Sequence, residues 1–424
     1  MIEEYKNSII GKIPFDWEVR TLGEISEQIK DGTHGTHKEV VGGIPLLSAK
    51  DIRNGKIYIP DDCRKLSFED FKSIHKNFQI KNGDVLLTVV GSIGRVAIVE
   101  NYNNQYTFQR SVGYIRLTDN YIPMFFMQYF QSKTFIKQLS LRSNASAQAG
   151  VYLGELSKIP VPSIPFLEQQ KIAEILSTVD DKIETIDKQI IETQEFKKGL
   201  MQRLLTKGIG HTEFKDSPLG TIPKSWEVVE LDEISSTTRL AGYEYSEYWE
   251  ESIDGEITAL RGYNIGKNKL LLHNVIKISE ELSQKLVRSR LFKGDVVFPC
   301  VGTIGNAIVI KEDNKYHINQ NIAKITPDKN LDSYFLMQYL ISPMCRKEIK
   351  RFNATTSQPN VLVGSLRKFR IPFPSNIEEQ IKISNILGYI DEKIDVLMEK
   401  KVHYKEIKQG LMQQLLTGKI RVKV

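Results

Sequence analysis

Residues 166–205 read FLEQQKIAEILSTVDDKIETIDKQIIETQEFKKGLMQRLL, and their spacing decides the fold. Ile172, Leu176, Val179, Ile183, Ile186 and Ile190 recur at alternating intervals of four and three, and Leu200 and Leu204 resume the same phase. That is a heptad seam, the pattern of a helix packed lengthwise against another helix. Glu, Asp, Lys and Gln fill the remaining positions and suit a wet face. Thirty-odd helical residues at about 1.5 Å each form a rod on the order of 50 Å long. A rod of that kind cannot bury its stripe alone, so the pattern demands a partner helix.

The same chain supplies one. IGKIPFDWEVRTLGEI from Ile10 recurs as LGTIPKSWEVVELDEI from Leu219, with Pro14 matching Pro223 and Trp17 matching Trp226. GDVLLTVVGSIGRVAIV from Gly83 recurs as GDVVFPCVGTIGNAIVI from Gly294, and Met127-Gln128-Tyr129 as Met337-Gln338-Tyr339. EQQKIAEIL from Glu168 returns as EQIKISNIL from Glu379, and LMQRLLTKG from Leu200 as LMQQLLTGK from Leu411. Each unit is a globular segment followed by a long helix, one from about Tyr5 to Gly208 and the other from about Phe214. A two-fold relation between such units makes the helices antiparallel neighbours and brings the chain ends together. A parallel pairing, with both globular segments at one end, is the alternative.

The second seam comprises Ile383, Leu387, Ile390, Ile394, Leu397, Tyr404, Leu411 and Leu415. It is the weaker copy. Lys401 stands where the first has Ile190, and Lys197 and Lys408 occupy matching seam slots beside Phe196 and Ile407. A helix of 3.6 residues per turn drifts in this way against a seven-residue repeat. Ser375-Asn376-Ile377-Glu378 has the form of a capping box at the start of the second helix, and Pro165 suits the first turn of the other. Both helices run out at a Thr followed within two residues by Gly, a stop signal.

Bulk composition is that of a globular protein, with 41% hydrophobic and 26% charged residues among 424. No run of 18 apolar residues and no basic-then-apolar leader occurs. Three scattered cysteines, Cys63, Cys300 and Cys345, fit a reducing cytoplasm and form no metal-ligand spacing. A net charge of +6 permits a nucleic-acid partner without demanding one. In each globular segment, strand-like runs broken by turns (GGIPLLSAKDI, KIYIP, GDVLLTVVGSIGRVAIV, YTFQRSVGYIRL) precede a helical stretch, YIPMFFMQYFQSKTFIKQL. The expected class is α+β: two globular domains with small, largely antiparallel sheets, separated by two long antiparallel coiled-coil helices in a pseudo-two-fold repeat. Trp17 and Trp226 read as core anchors. The frame repeats but the stretches between do not: KDGTHGTHK from Lys30 faces TRLAGYEYSEYW from Thr238. One scaffold carrying two loop sets points to two related but different recognition tasks.

The duplicated layout, the IPFDWEVRTLGEI opening, DGTH from Asp31, LLSAKDI from Leu46, GDVLLTVVGSIGR and EQQKIAEILSTVDDKIE closely resemble the specificity subunits of type I restriction-modification systems. The resemblance covers essentially the whole chain. It implies target recognition domains at 1–165 and 209–377, with spacer helices at 166–208 and 378–424. It also implies a chain that reads a split sequence in double-stranded DNA in the cytoplasm. Its partners are two modification (methyltransferase) subunits and ATP-dependent restriction (endonuclease) subunits, with no cofactor, metal or membrane. Two alternatives stand beside it: a related system whose partner fuses methyltransferase and nuclease, and a coiled-coil scaffold without DNA readout of its own.

Candidate DNA contacts follow from the turns. Asp31 to His37, with Lys30, Thr33, His34 and Thr36, can offer backbone N–H groups and hydroxyls to phosphate; Arg239 and Tyr243 lie in the counterpart stretch. His34 and His37 lack a nearby third ligand for a metal. Ser48-Ala49-Lys50-Asp51-Ile52-Arg53 is matched by Arg261-Gly262-Tyr263-Asn264, and of these Lys50, Arg53, Arg261 and Asn264 are candidates. The Gly91–Arg95 and Gly302–Asn306 turns are not phosphate-binding loops of the Walker type, since no Lys-Ser/Thr follows. They need glycine as turns and offer Ser92, Arg95, Thr303 and Asn306. Gln109 and Arg110 match Asn319, Gln320 and Asn321; Asn and Gln pair bidentately with adenine and Arg with guanine. Ser143, Gln148, Thr355, Ser357 and Gln358 lie in polar loops before the long helices. No Asp/Asn-Pro-Pro-Tyr motif, Gly-rich cofactor loop, Walker box or catalytic triad pattern occurs, which argues against a self-contained methyltransferase, nuclease or ATPase.

Overall fold

The computed structural model describes residues 5–76, 79–143, 150–353 and 360–423. It divides into two compact units, one of residues 1–187 with 399–424, the other of residues 188–398. Neither follows the chain order of the repeat. Each contains one globular segment, the start of the helix that follows it and the end of the other long helix.

The long helices are Phe166–Lys207 and Ile377–Leu415, 42 and 39 residues. In the first unit Ile172, Ala173 and Leu176 share a core with Leu415 and Leu416. Lys408 meets Asp180 at 2.8 Å, and Lys401 meets Asp187. A later residue on one helix faces an earlier one on the other, so the pairing is antiparallel. The second unit repeats it, with Met201, Leu204 and Leu205 against Ile383 and Leu387, and Lys197 on Asp391. None of the seam positions is exposed. The lysines thus occupy the seam by design, each neutralised across it, while neighbouring Phe196 is 62% exposed. A domain glutamine completes each pair: Gln128 Nε2 donates to Asp180 at 2.7 Å and Gln338 Nε2 to Asp391 at 3.0 Å.

The caps differ slightly from expectation. Asn376, not Ser375, caps the second helix, its Oδ1 accepting from Glu378 N–H at 2.9 Å. Pro165 lies just before the first helix and accepts from Gln169 N–H. Gly208 and Gly418 end the helices with left-handed backbones, φ 61° and 68°. A Cβ there would strike the Trp226 and Trp17 environments respectively.

Both tryptophans are buried and donate to a first-turn glutamate: Trp17 to Glu168 at 3.3 Å and Trp226 to Glu379 at 3.1 Å. A carboxylate near a helix N-terminus also opposes the positive end of the helix dipole. The segment leaving the other helix closes on the same glutamate. In the first unit Arg421 spans Glu168 and Asp16, and this contact holds the Asp16 carboxyl below its ordinary range. In the second, His211 and the Ile209 N–H meet Glu379. The Tyr5 hydroxyl donates to the Gly418 carbonyl at 3.0 Å, which joins the two chain ends in the first unit.

Each domain is built on a four-stranded antiparallel sheet: Val96–Ile98, Val85–Thr88, Val112–Leu117 and Ser26–Asp31 in the first, Ile308–Val309, Val296–Pro299, Ile322–Pro327 and Ser235–Thr238 in the second. Val85 and Leu87 face the core shared with the Pro123–Phe130 and Lys133–Leu141 helices, whereas Leu86 faces a second core. Covering both faces explains why this strand is buried at every position and apolar from Val85 to Leu87. The second core lies under a three-stranded sheet, in which Ile44–Leu47 pairs parallel with Thr107–Phe108 and antiparallel with Lys65–Leu66. The second domain repeats this with Ile257–Leu260, Tyr316–Ile318 and Ile276–Ile278. The parallel pair is the departure from a simple antiparallel reading.

Candidate nucleic-acid interface

Strand register carries the variable turns to one end of each domain. Val112 pairs with Thr88 and Gly113 with Asp31, while Phe108 pairs with Leu47. The turns after Thr88, Asp31, Leu47 and Phe108 therefore emerge together. Their backbones interlock. Gln109 N–H donates to Leu47 O at 2.9 Å, Val89 N–H to Ser111 O at 3.0 Å, and Ala49 N–H to the Ser111 hydroxyl at 3.1 Å. Arg110 N–H reaches Thr33 O at 3.0 Å, and Thr33 N–H reaches Phe108 O at 2.9 Å. Gly32 is required by this approach, since a Cβ there would lie 2.1 Å from the Phe108 carbonyl oxygen.

The second domain repeats the cluster. Asn319 N–H donates to Leu260 O at 2.9 Å and Cys300 N–H to Asn321 O at 2.7 Å. The first turn of each cluster is held by one polar side chain: Asp51 accepts from Ser48 N–H at 2.8 Å, and Asn264 from Arg261 N–H at 2.9 Å. Ser48-x-x-Asp51 and Arg261-x-x-Asn264 share a capping spacing, the sequence signal for this device. The segments after the polar loops close the cluster, Val151 N–H on Val89 O and Val361 N–H on Cys300 O.

These bonds sort the candidates. Asn264 is fully buried, and its amide donates to Leu271 O and His273 O, so it shapes the turn rather than meeting a ligand. Arg95 Nη1 donates to Ala49 O at 3.1 Å, and Asn306 Nδ2 to Ile265 O at 2.8 Å. The Thr303 hydroxyl donates to Gly262 O at 2.7 Å. All three tie turn to turn. Asn319 is buried, with Oδ1 on the Gln320 N–H. The Ser143 hydroxyl donates to Ser140 O at a helix end, away from a base-reading role. His34 meets Asp31 at 2.8 Å, whereas His37 meets Thr33 and Asp70, so the two rings serve different partners.

Lys50, Arg53, Ser92, His34, Thr36 and Arg110 are exposed around the first cluster, with Lys30, Thr33 and Gln109 half-buried. Arg53 Nε donates to Lys50 O. Around the second, Arg239, Tyr243 and Asn321 are exposed and Arg261 and Gln320 half-buried. Arg261 Nη2 meets Glu251 at 2.9 Å, within a stretch, Gly242–Glu256, that carries acidic residues and no base. Cys300, leading into its turn, is buried, and desolvation pushes its thiol up to about 12, with the nearby Arg239 charge opposing. It is an inert thiol. Gln148, Thr355, Ser357 and Gln358 lie outside the described residues. Sequence reasoning passed over the parts that Gly32 and Asp51 play in building the cluster, and took Ser111 only as part of the Gln109–Ser111 candidate segment rather than as the acceptor for Ala49 N–H.

The family model for the type I restriction modification DNA specificity domain matches twice, over residues 14–194 and 223–406. The chain belongs to the type I restriction-modification specificity family. A putative type I restriction enzyme MjaX specificity subunit of Methanocaldococcus jannaschii is 31% identical, over 99% of this chain and 97% of that one. The MjaVIII specificity subunit of the same organism is 29% identical over the same shares. Among solved structures, the type I restriction-modification S subunit from M. genitalium matches with a TM-score of 0.57 at 14% identity, covering 94% of this chain and 96% of that one. A chain from a study of complex assembly and conformational transition of the type I system matches at 0.56 and 17% identity, covering 96% and 99%. These structures share the fold of this specificity subunit: two domains and two long helices. Among its described residues no helix is long and apolar enough to cross a membrane, and no group of His, Cys, Asp and Glu is placed to hold a metal.

Proposed function

We propose that this specificity subunit reads a bipartite sequence in double-stranded DNA, one half-site for each recognition domain (1–165 and 209–377), with unread base pairs between. The observation that carries the reading is the duplicated turn cluster, one backbone scaffold presenting different side chains in each domain. The chain itself is non-catalytic. Two modification subunits dock on the paired long helices, and ATP-dependent restriction subunits join them in the cytoplasm. Base discrimination comes from the turn side chains, and Lys50, Arg53 and Arg239 supply phosphate contacts that position the duplex. Fluorescence anisotropy on the chain assembled with its modification subunits tests this. Binding to a duplex carrying the true target should exceed binding to random duplex by at least about 10³-fold and fall steeply with salt. Equal affinity for target and random DNA would leave only a helical scaffold.

A further inference from the structure

Bidentate base readers are Arg, Asn and Gln side chains with both polar ends available. The two turn clusters hold several, and some are consumed within the protein. Arg95, Asn306 and Asn264 donate to turn carbonyls, Asn319 accepts from the next N–H, and Arg261 pairs with Glu251, whereas Arg53 gives only its Nε to Lys50 O and keeps its terminal nitrogens for the phosphate contact proposed above. Among the described residues of these turns, the side chains of Gln109, Arg110, Gln320 and Asn321 make no such bond, nor does Arg239, whose counterpart stretch in the first domain carries Lys30 rather than a base-reading fork or amide. Among the described residues, one matched pair is unengaged in both domains. Gln109 corresponds to the committed Asn319, and Asn321 to Ser111, whose hydroxyl is held by Ala49.

That pair is Arg110 and Gln320. The backbone around them is the same: the preceding N–H donates to the strand end, Leu47 or Leu260, and the following carbonyl accepts from Val89 or Cys300. One position on one scaffold therefore presents a guanidinium in the first domain and a carboxamide in the second. An Arg fork matches the O6 and N7 acceptors of guanine, whereas a Gln amide matches the N7 acceptor and N6 donor of adenine. Resting on the DNA-reading function proposed above, we infer that Arg110 and Gln320 are the equivalent specificity-determining residues of the two domains, reading a guanine in one half-site and an adenine in the other.

The test uses the chain assembled with its modification subunits and a panel of target duplexes, each with one base pair replaced. Arg110→Ala should weaken target binding roughly 5- to 150-fold and abolish discrimination at one G·C pair of one half-site, with every other preference kept. Gln320→Ala should do the same at one A·T pair of the other half-site. Arg110→Lys keeps the charge but loses the fork, and should fail at the same G·C pair. Arg110→Gln should shift the preference there from guanine towards adenine. If Arg110→Ala and Arg110→Lys keep full discrimination at every pair, or lose affinity equally on target and random duplexes, the assignment is overturned. Wild-type complex that discriminates at no pair would instead overturn the DNA-reading function itself.

Discussion

Replacing Lys197 by Met probes how the paired helices are held. The Lys197 side chain is 13% exposed and its partner Asp391 20% exposed, in the seam of the second unit. Met fills the space of the lysine methylenes, so the change removes a charge rather than volume. It leaves the Asp391 carboxylate with only the Gln338 amide at 3.0 Å and the Asn268 amide at 3.4 Å. Stranding a fully buried partner costs about 3–5 kcal/mol. Partial access to water here reduces that to about 2 kcal/mol, a drop of about 4–8 °C in the unfolding midpoint of a unit this size. Lys197→Met with Asp391→Leu removes both charges, and should be less destabilised than the two single changes added together by at least about 1 kcal/mol. Scanning calorimetry measures all three. A Lys197→Met midpoint within 1 °C of wild type, or strict additivity, refutes a neutralised seam. Lys408→Met should behave alike through Asp180 and Gln128 in the first unit.

Gly32→Ala forces a methyl group against the Phe108 carbonyl, which is backbone and cannot swing aside. It should erase discrimination in one half-site while leaving the other intact; a mutant with both half-sites intact contradicts the interlocked cluster. Glu251→Gln removes the carboxylate that holds Arg261. DNA binding should tighten several-fold and the slope of log affinity against log salt should steepen by about one unit; an unchanged slope means Arg261 does not reach DNA. Burial holds the His317 imidazole below its ordinary value. The unfolded chain gains a proton near pH 6.5 that the folded site refuses, so stability falls as pH drops below about 6.5, by at most about 1.4 kcal/mol per pH unit. His317→Gln should flatten that slope in thermal unfolding between pH 7.5 and 5.5, and an equal slope contradicts the assignment.

The seam was legible because a four-and-three spacing survives whatever packs on it, and the repeat named the partner. The role of Lys197 and Lys408 was not legible. Both lay in the seam by phase, but their partners Asp391 and Asp180 follow only from the cross-helix register. The turns were legible through their glycines. Which polar side chains hold the turns together was not: Arg95, Asn306 and Asn264 have base-reading chemistry by residue type, and only three-dimensional neighbours show them spent on carbonyls. Ser48-x-x-Asp51 and Arg261-x-x-Asn264 carried that signal in their common spacing.

Mapping of methylated bases across the host genome tests the central claim most directly. Two short specified blocks separated by a gap of fixed length and unspecified sequence, lost when this chain is deleted, is the predicted result. A single continuous motif, or a methylation pattern unchanged by the deletion while the modification subunits are expressed and active, would contradict it.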